Sequence, residues 1–360
     1  MSDILNRVRA MFPLMKADAV LVSDPFNIRY ISGYTNDTGV LLITKEVAYL
    51  LTDFRFLFQA QREVAPGIQV VDMTPHGYQE LVAQLCMQLT PVKTLALEAF
   101  KLSYSDYCAY ADRLKKSNVS VVPVPNYLSE LRWIKTPDEI EKLRMAEHIG
   151  DLAFSEILPY VKPGVTELEL AARLTFSMQL HGASGNSFPP IVASGVNSSM
   201  PHAMPSEKKI ETGDFVTMDF GCIYQGYCSD MTRTVVVGKA DEKQRHIYET
   251  VLLAQTEALK ALRPGKTGKE IDAVARNIID KAGYEGCFGH GLGHSVGLQI
   301  HEEPNCNARD SRVLKTGMLM TVEPGIYVKD FGGVRIEDMV VLTEDGYENL
   351  AHSEKKLIEL

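Results

Sequence analysis

Two stretches of this chain put acids where a folded-back strand would set them side by side. The first is DFVTMDFGCIYQGYCSDMTRTVVVG, residues 214–238, which contains Asp219 and Asp230. If it turns at Tyr224-Gln225-Gly226, the two aspartates become direct cross-strand neighbours on one face, with Cβ atoms about 5 Å apart. The second is MLMTVEPGIYVKDFGGVRIEDMVVLT, residues 318–343. Folding around Asp330-Phe331-Gly332-Gly333 sets Glu323 opposite Glu337, and Arg335, two residues earlier, points to the same face. Like charges held that close destabilise a sheet unless something positive lies between them. Either hairpin alone also reads as a solvated ladder of surface acids. Two in matching places constrain the fold far more.

The matching places reflect a faint internal duplication. KPGVTELELAARL (162–174) aligns with RPGKTGKEIDAVA (263–275), 101 residues further on. Thr166 with Glu169, and Thr267 with Glu270, predict a capping box at each helix start. A helical run precedes each copy, at 138–158 and 247–262, and a strand-rich acidic segment follows. Helix-start chemistry by itself would account for the shared P-G-x-T-x-x-E, but not for the matching flanks. The order predicts two related α/β units facing one another, with a cleft between them as the natural site.

Four carboxylates converging on one cleft raise one another's pKa and resist ionising together. Two divalent cations balance them in charge. The glycine-rich run GHGLGHSVGLQIHEEP (289–304) carries three of the nine histidines, at 290, 294 and 301. Glycine lets its backbone approach closely, so one imidazole from this run completes a five-residue set of oxygens with one nitrogen. Such a set favours Mn²⁺, with Co²⁺, Fe²⁺ or Zn²⁺ as alternatives; a structural zinc would use thiolates. The six cysteines (86, 108, 222, 228, 287, 306) contain no C-x-x-C pair. They read as reduced, buried thiols of a cytosolic protein. Cys222 and Cys228, although close to the first acids, are weaker ligand candidates than the carboxylates.

The first 125 residues alternate strand-like runs, AVLVS (19–23), GVLLIT (39–44), VAYLLTD (47–53) and TLALE (94–98), with helical spacing at 77–89 and 104–116. This is an α/β pattern. Pro123 and Pro125 mark an extended connector, which predicts domains at 1–125 and 126–360. Thr136-Pro137-Asp138-Glu139 then reads as a capped helix start. With 37 basic against 46 acidic residues the net charge is -9, which argues against nucleic acid as a partner. No apolar run approaches the roughly 20 residues of a membrane span. The N-terminal stretch, with Asp3 and Arg7, lacks the apolar core of a signal peptide, so a cytoplasmic location is expected.

At the acid-bearing segments the chain resembles the pita-bread metallopeptidases, the family of methionine aminopeptidase, aminopeptidase P and prolidase. The motifs are MDFG with Asp219, SDMTRT with Asp230, GHSVGLQIHEEP with His294, TVEPGIY with Glu323 and VRIEDMV with Glu337. NIRYISGY (27–34) and LLTDFRF (50–56) look like the creatinase-type domain that precedes the catalytic one in prolidases and aminopeptidases P. The resemblance implies a small creatinase-type α/β domain followed by a pita-bread α+β domain of two related halves. It also implies an exopeptidase that cleaves the bond before proline in a small Xaa-Pro peptide.

Carried over by position, Asp219 chelates one metal, Asp230 and Glu337 bridge both, and His294 and Glu323 bind the other. A hydroxide held between the metals attacks the scissile carbonyl, and Glu323 manages its proton. His301 matches a substrate-facing imidazole, His290 a residue lining the proline pocket, and His202, in NSSMPHAMP, a histidine near the leaving group. The leaving proline nitrogen must receive a proton, a task suited to histidine. Arg335 holds neighbouring carboxylates or a substrate carboxylate, or forms a plain structural ion pair. For Tyr227 and Tyr327, near the hairpins, packing and function are not separable at this level. Relatives with this N-terminal domain are commonly dimers, so a homodimer is expected.

The ligands leave open whether dipeptides or longer peptides are preferred. The 14-residue spacing between the two glutamates is more like prolidases and small bacterial aminopeptidases. Other readings are a methionine-aminopeptidase-like exopeptidase, a metal-free creatinase-like amidinohydrolase, and a binding protein that has lost catalysis. The intact ligand positions speak against the last two.

Overall fold

Continuous apolar runs such as AVLV and VLLIT belong to strands covered on both faces, and the computed structural model, which describes residues 2–88 and 92–360, places them so. Contacts divide the chain into two units, Met1–Arg132 and Trp133–Leu360. In the first, β1 (Ala19–Val22), β2 (Val40–Thr44), β3 (Ala48–Thr52), β4 (Ile68–Asp72), β5 (Thr94–Glu98) and β6 (Ser120–Val124) form one sheet. Its order is β4-β3-β2-β1-β5-β6. β2 runs antiparallel to both neighbours, and the other pairings are parallel. Val20, Val22, Leu41 and Ile43 face one apolar core, whereas Leu21, Leu42, Leu95 and Leu97 face another.

Two features of this unit depart from expectation. β6 contains Pro123, which removes a ladder donor and is tolerated because β6 is an edge strand. The prolines therefore lie in the sheet and just beyond it. The segment Tyr127–Arg132 that follows belongs to the first unit: Leu128 and Leu131 are buried in its core, and the Tyr30 hydroxyl donates to the Leu131 carbonyl at 2.8 Å. The division accordingly falls after Arg132. The predicted helices are present as Tyr78–Gln88 and Tyr104–Lys115. Leu89, the last residue of the first predicted run, lies outside the described residues.

The second unit opens on helix Pro137–Ile157, capped reciprocally by Thr136 and Glu139. Helices Pro137–Ile157 and Glu167–Leu180 pack against β8 (Ile191–Ser194), β9 (Phe215–Phe220) and β12 (Met231–Val236) around one apolar cluster. Between these elements lie β7 (Gly185–Asn186), β10 (Cys222–Tyr224) and β11 (Tyr227–Cys228). Helices Glu242–Ala261 and Gly268–Ile279 build a second cluster with β14 (Glu302–Cys306), β15 (Leu319–Val322), β16 (Gly325–Val328), β17 (Gly332–Arg335) and β18 (Asp338–Leu342), and β13 (Gly293–Ser295) pairs with β14. β19 (Tyr347–Asn349) adds to β18. Thr267 and Glu270 close a full capping box. Thr166 makes only half of one: its side chain accepts from the Glu169 amide, while the Glu169 carboxylate is engaged by Arg173 at 2.9 Å.

The first acidic ribbon turns at Gln225-Gly226, with φ of 48° and 88°, the two-residue turn that suits a tight hairpin. Tyr224 pairs with Tyr227, and Asp219 pairs with Thr232. The predicted direct opposition of Asp219 and Asp230 is thus corrected. Continuing the register sets Asp230 opposite Gly221, diagonal to Asp219 on the same face, because the turn is centred one position further along the chain.

In the second ribbon β15 pairs with β18 and β16 with β17 in one common register, Val322 with Asp338 and Gly325 with Arg335. Glu323 and Glu337 therefore face one another in the gap between the two ladders. Pro324, which has no amide hydrogen, follows Glu323 at that gap.

Candidate active site

All nine side chains singled out in the sequence line one cavity of about 420 Å³: His202, Asp219, Asp230, His290, His294, His301, Glu323, Arg335 and Glu337. β9 and the end of the first ribbon bring Asp219 and Asp230, β13 brings His294, and the gap in the second ribbon brings the two glutamates. The glycines of the histidine-rich run have a steric purpose. A Cβ on Gly293 would sit 2.0 Å from the Thr321 carbonyl oxygen, so only glycine lets β13 lie this close to β15.

Donor atoms of Asp230, His294 and Glu337 lie within 4.8 Å of one another. His294 Nε2 is 3.5 Å from Asp230 Oδ2 and 3.5 Å from Glu323 Oε1. Its Nδ1 lies 3.0 Å from the Ser295 carbonyl oxygen. A carbonyl only accepts, so the proton resides on Nδ1 and the Nε2 lone pair faces the acids. The Thr232 hydroxyl donates to Glu337 Oε2 at 2.6 Å, and the Thr321 hydroxyl lies 3.3 Å from Glu323 Oε1. Asp219 stands apart from the triad: Arg335 holds its Oδ2 at 2.6 Å, while its Oδ1 is buried without a hydrogen-bond partner.

Charge crowding follows from this packing. Burial first, then the neighbouring Glu337, Asp219 and Glu323, push the Asp230 carboxyl well above its ordinary range. Burial followed by Glu323 and Asp219 does the same to Glu337. Burial raises Glu323 to about 8. His294 is depressed to about 4 by burial and then by His301, whose ring centroid is 4.5 Å away, so it remains a neutral donor. Crowded acids, an imidazole with its lone pair turned inward and an orphaned carboxylate oxygen fit divalent cations. Cys222 and Cys228 are buried.

Residues 141–344 match metallopeptidase family M24, and residues 5–134 match the creatinase/prolidase N-terminal domain. The chain belongs to metallopeptidase family M24. This M24 chain is 38% identical to an Xaa-Pro dipeptidase of Pyrococcus horikoshii, over 99% of the chain and 100% of the relative. Among solved structures it is similar to an Xaa-Pro dipeptidase from Bacillus anthracis, with TM-score 0.96 and 42% identity, covering 100% and 99% of the two chains. It is also similar to an X-Pro aminopeptidase from Thermotoga maritima, with TM-score 0.89 and 34% identity, covering 98% and 100%. It is a metal-dependent peptidase that takes divalent ions and acts on small peptides. Among the described residues no helix is long and apolar enough to cross a membrane.

The M24 site contains groups that the sequence did not resolve. Arg335 Nη1 donates to the Tyr327 hydroxyl at 2.7 Å, which lies 2.9 Å from His290 Nε2. His290 Nδ1 is 2.8 Å from the Gly291 carbonyl oxygen. Nδ1 is therefore the protonated nitrogen, and the tyrosine donates to Nε2. This ordered chain gives Tyr327 a polar task; its placement after Glu323 was the only signal. Tyr227 instead donates to Glu139 at 3.1 Å, near the start of helix Pro137–Ile157. Thr232 was legible only once the register was known. His202 and His301 remain exposed on the cavity wall.

Proposed function

We propose that this M24 peptidase is an Xaa-Pro exopeptidase that hydrolyses the bond before proline in short peptides. The supporting observation is the donor cluster of Asp230, His294 and Glu337 in a cavity that also presents His202, His290 and His301. Relatives spanning nearly the whole chain bear the names Xaa-Pro dipeptidase and X-Pro aminopeptidase. Asp219, Asp230, His294, Glu323 and Glu337 would hold two divalent ions, with Mn²⁺ favoured by a set of four carboxylates and one imidazole. Bound there, the ions would supply positive charge that polarises the scissile carbonyl and makes water a better nucleophile.

The chain's own residues do the rest. Glu323 accepts a proton at its carboxylate and returns it. His202 and His301 face the leaving proline nitrogen, which must be protonated to depart. His290 lines the pocket for the proline ring, its ring nitrogen fixed by Tyr327. Arg335 keeps Asp219 oriented. In this reading the first unit is the creatinase-type domain, the second is the catalytic domain, and the protein is a cytoplasmic homodimer.

The decisive experiment is hydrolysis of Xaa-Pro, Xaa-Pro-Xaa and Met-Ala-Xaa peptides with Mn²⁺ added or chelated, alongside metal content by plasma mass spectrometry. Mn²⁺-dependent cleavage before proline is the expected result, and the relative rates on two- and three-residue substrates assign the preferred length. Cleavage confined to Met-Ala-Xaa, or hydrolysis indifferent to metal, would overturn the proposal.

A further inference from the structure

The loop that carries His301 runs from Gly297 to the start of β14 at Glu302. It is held from below by a charge pair that the chemistry above does not use. Lys135 Nζ lies 2.9 Å from Glu302 Oε2, and the two side chains are only 1% and 2% exposed. Glu302 Oε1 accepts from the Gln299 amide at 3.2 Å, and the Gly297 amide donates to the Gln299 carbonyl at 3.1 Å. A Cβ on Gly297 would come within 2.7 Å of the carboxylate, so the acid is tucked under the loop's first residue. Lys135 is anchored in turn: its amide donates to the Gly317 carbonyl at 2.8 Å, and Ile134 bridges to Met318. The lysine immediately precedes the cap of helix Pro137–Ile157, in the first copy of the duplication, whereas Glu302 lies in the second.

Replacing a buried ion pair by apolar side chains is often neutral or stabilising, so stability alone does not account for this one. An ion pair supplies direction, which apolar packing lacks. We infer that Lys135 and Glu302 are a positioning pair that fixes the loop 297–302 and thereby the aim of the His301 imidazole into the cavity. The inference deepens the peptidase reading and rests on His301 facing the substrate. Neither residue is among those that line the cavity.

The test uses two variants of the full chain. K135M/E302Q removes both charges while keeping an acceptor for the Gln299 amide, and E302D withdraws the carboxylate from Lys135 while keeping both charges. In each, kcat on an Xaa-Pro peptide is expected to fall by about 10²-fold, the scale of a small misplacement of a catalytic group. KM and Mn²⁺ affinity by calorimetry should stay near the parent values, and hydrogen–deuterium exchange should quicken within residues 297–303 alone. Recovery of kcat together with Tm in the double variant, or unchanged exchange in that segment, would overturn the inference. Exchange needs no substrate. If the parent itself cleaves no Xaa-Pro peptide, the peptidase reading fails while the exchange result still judges the pair.

Discussion

Arg335 Nη2 lies 2.6 Å from Asp219 Oδ2, and this contact occupies one oxygen of a carboxylate whose other oxygen is buried without a hydrogen-bond partner. One acid is thereby divided between a guanidinium and the cavity. Arg335→Ala should strand Asp219 and lower stability by about 3–5 kcal/mol, the usual cost of breaking a buried pair. Arg335→Lys keeps the charge but cannot contact Asp219, Tyr327 and Thr232 together, so it should recover stability in part. Urea melts, with turnover on an Xaa-Pro peptide, check the order parent, lysine, alanine.

Removing metal should expose the cost of crowding acids. Burial raises Glu323 from 4.5 to about 8 in the metal-free protein. A carboxyl whose folded pKa is raised contributes stability below its unfolded value and loses it as pH rises through the folded one. The chelated protein should therefore lose thermal stability between about pH 4.5 and 8, and Mn²⁺ should restore it at the alkaline end. Calorimetry across that range, with and without Mn²⁺, reads the difference directly.

Glu323→Gln separates folding from chemistry. The metal-free variant should melt higher than the parent at pH 8, since a buried charge has been removed. Its turnover should fall roughly 10³-fold or more, the scale of a lost general acid–base group. A variant that keeps parental turnover would remove Glu323 from the mechanism.

Thr232→Val keeps shape and removes a hydroxyl that donates to Glu337 at 2.6 Å and accepts from Arg335 Nε at 3.1 Å. Loss of such an orienting partner is expected to weaken Mn²⁺ binding about 10–100-fold. Titration calorimetry on the folded variant measures it.

Gln225 occupies the first turn position with φ of 48°, where asparagine is preferred. Gln225→Asn should stabilise the protein by up to about 1 kcal/mol by relieving left-handed strain, with no change in kcat. A lowered Tm would contradict the turn assignment.

The sequence made the chemistry legible because each candidate donor is an acid or imidazole in a short, distinctive stretch. Register was harder. A turn centred one position further on exchanged the partner of Asp219 from Asp230 to Thr232, and no residue count distinguishes the two turns. The second ribbon came out as predicted at Glu323 and Glu337, since its ladders share one register on both sides of Pro324. Pro123 suggested a connector, yet an edge strand accepts it. Tyr327, Lys135 and Glu302 act through contacts made only after folding, and nothing local to their sequence announces those partners.

The proposed donor set is split unevenly between the two helix-and-ribbon copies. The first supplies Asp219 and Asp230, and the second His294, Glu323 and Glu337. Neither copy holds the whole set, so the cluster of Asp230, His294 and Glu337 exists only where both copies have folded. A local opening of either copy would dismantle that cluster at a stroke.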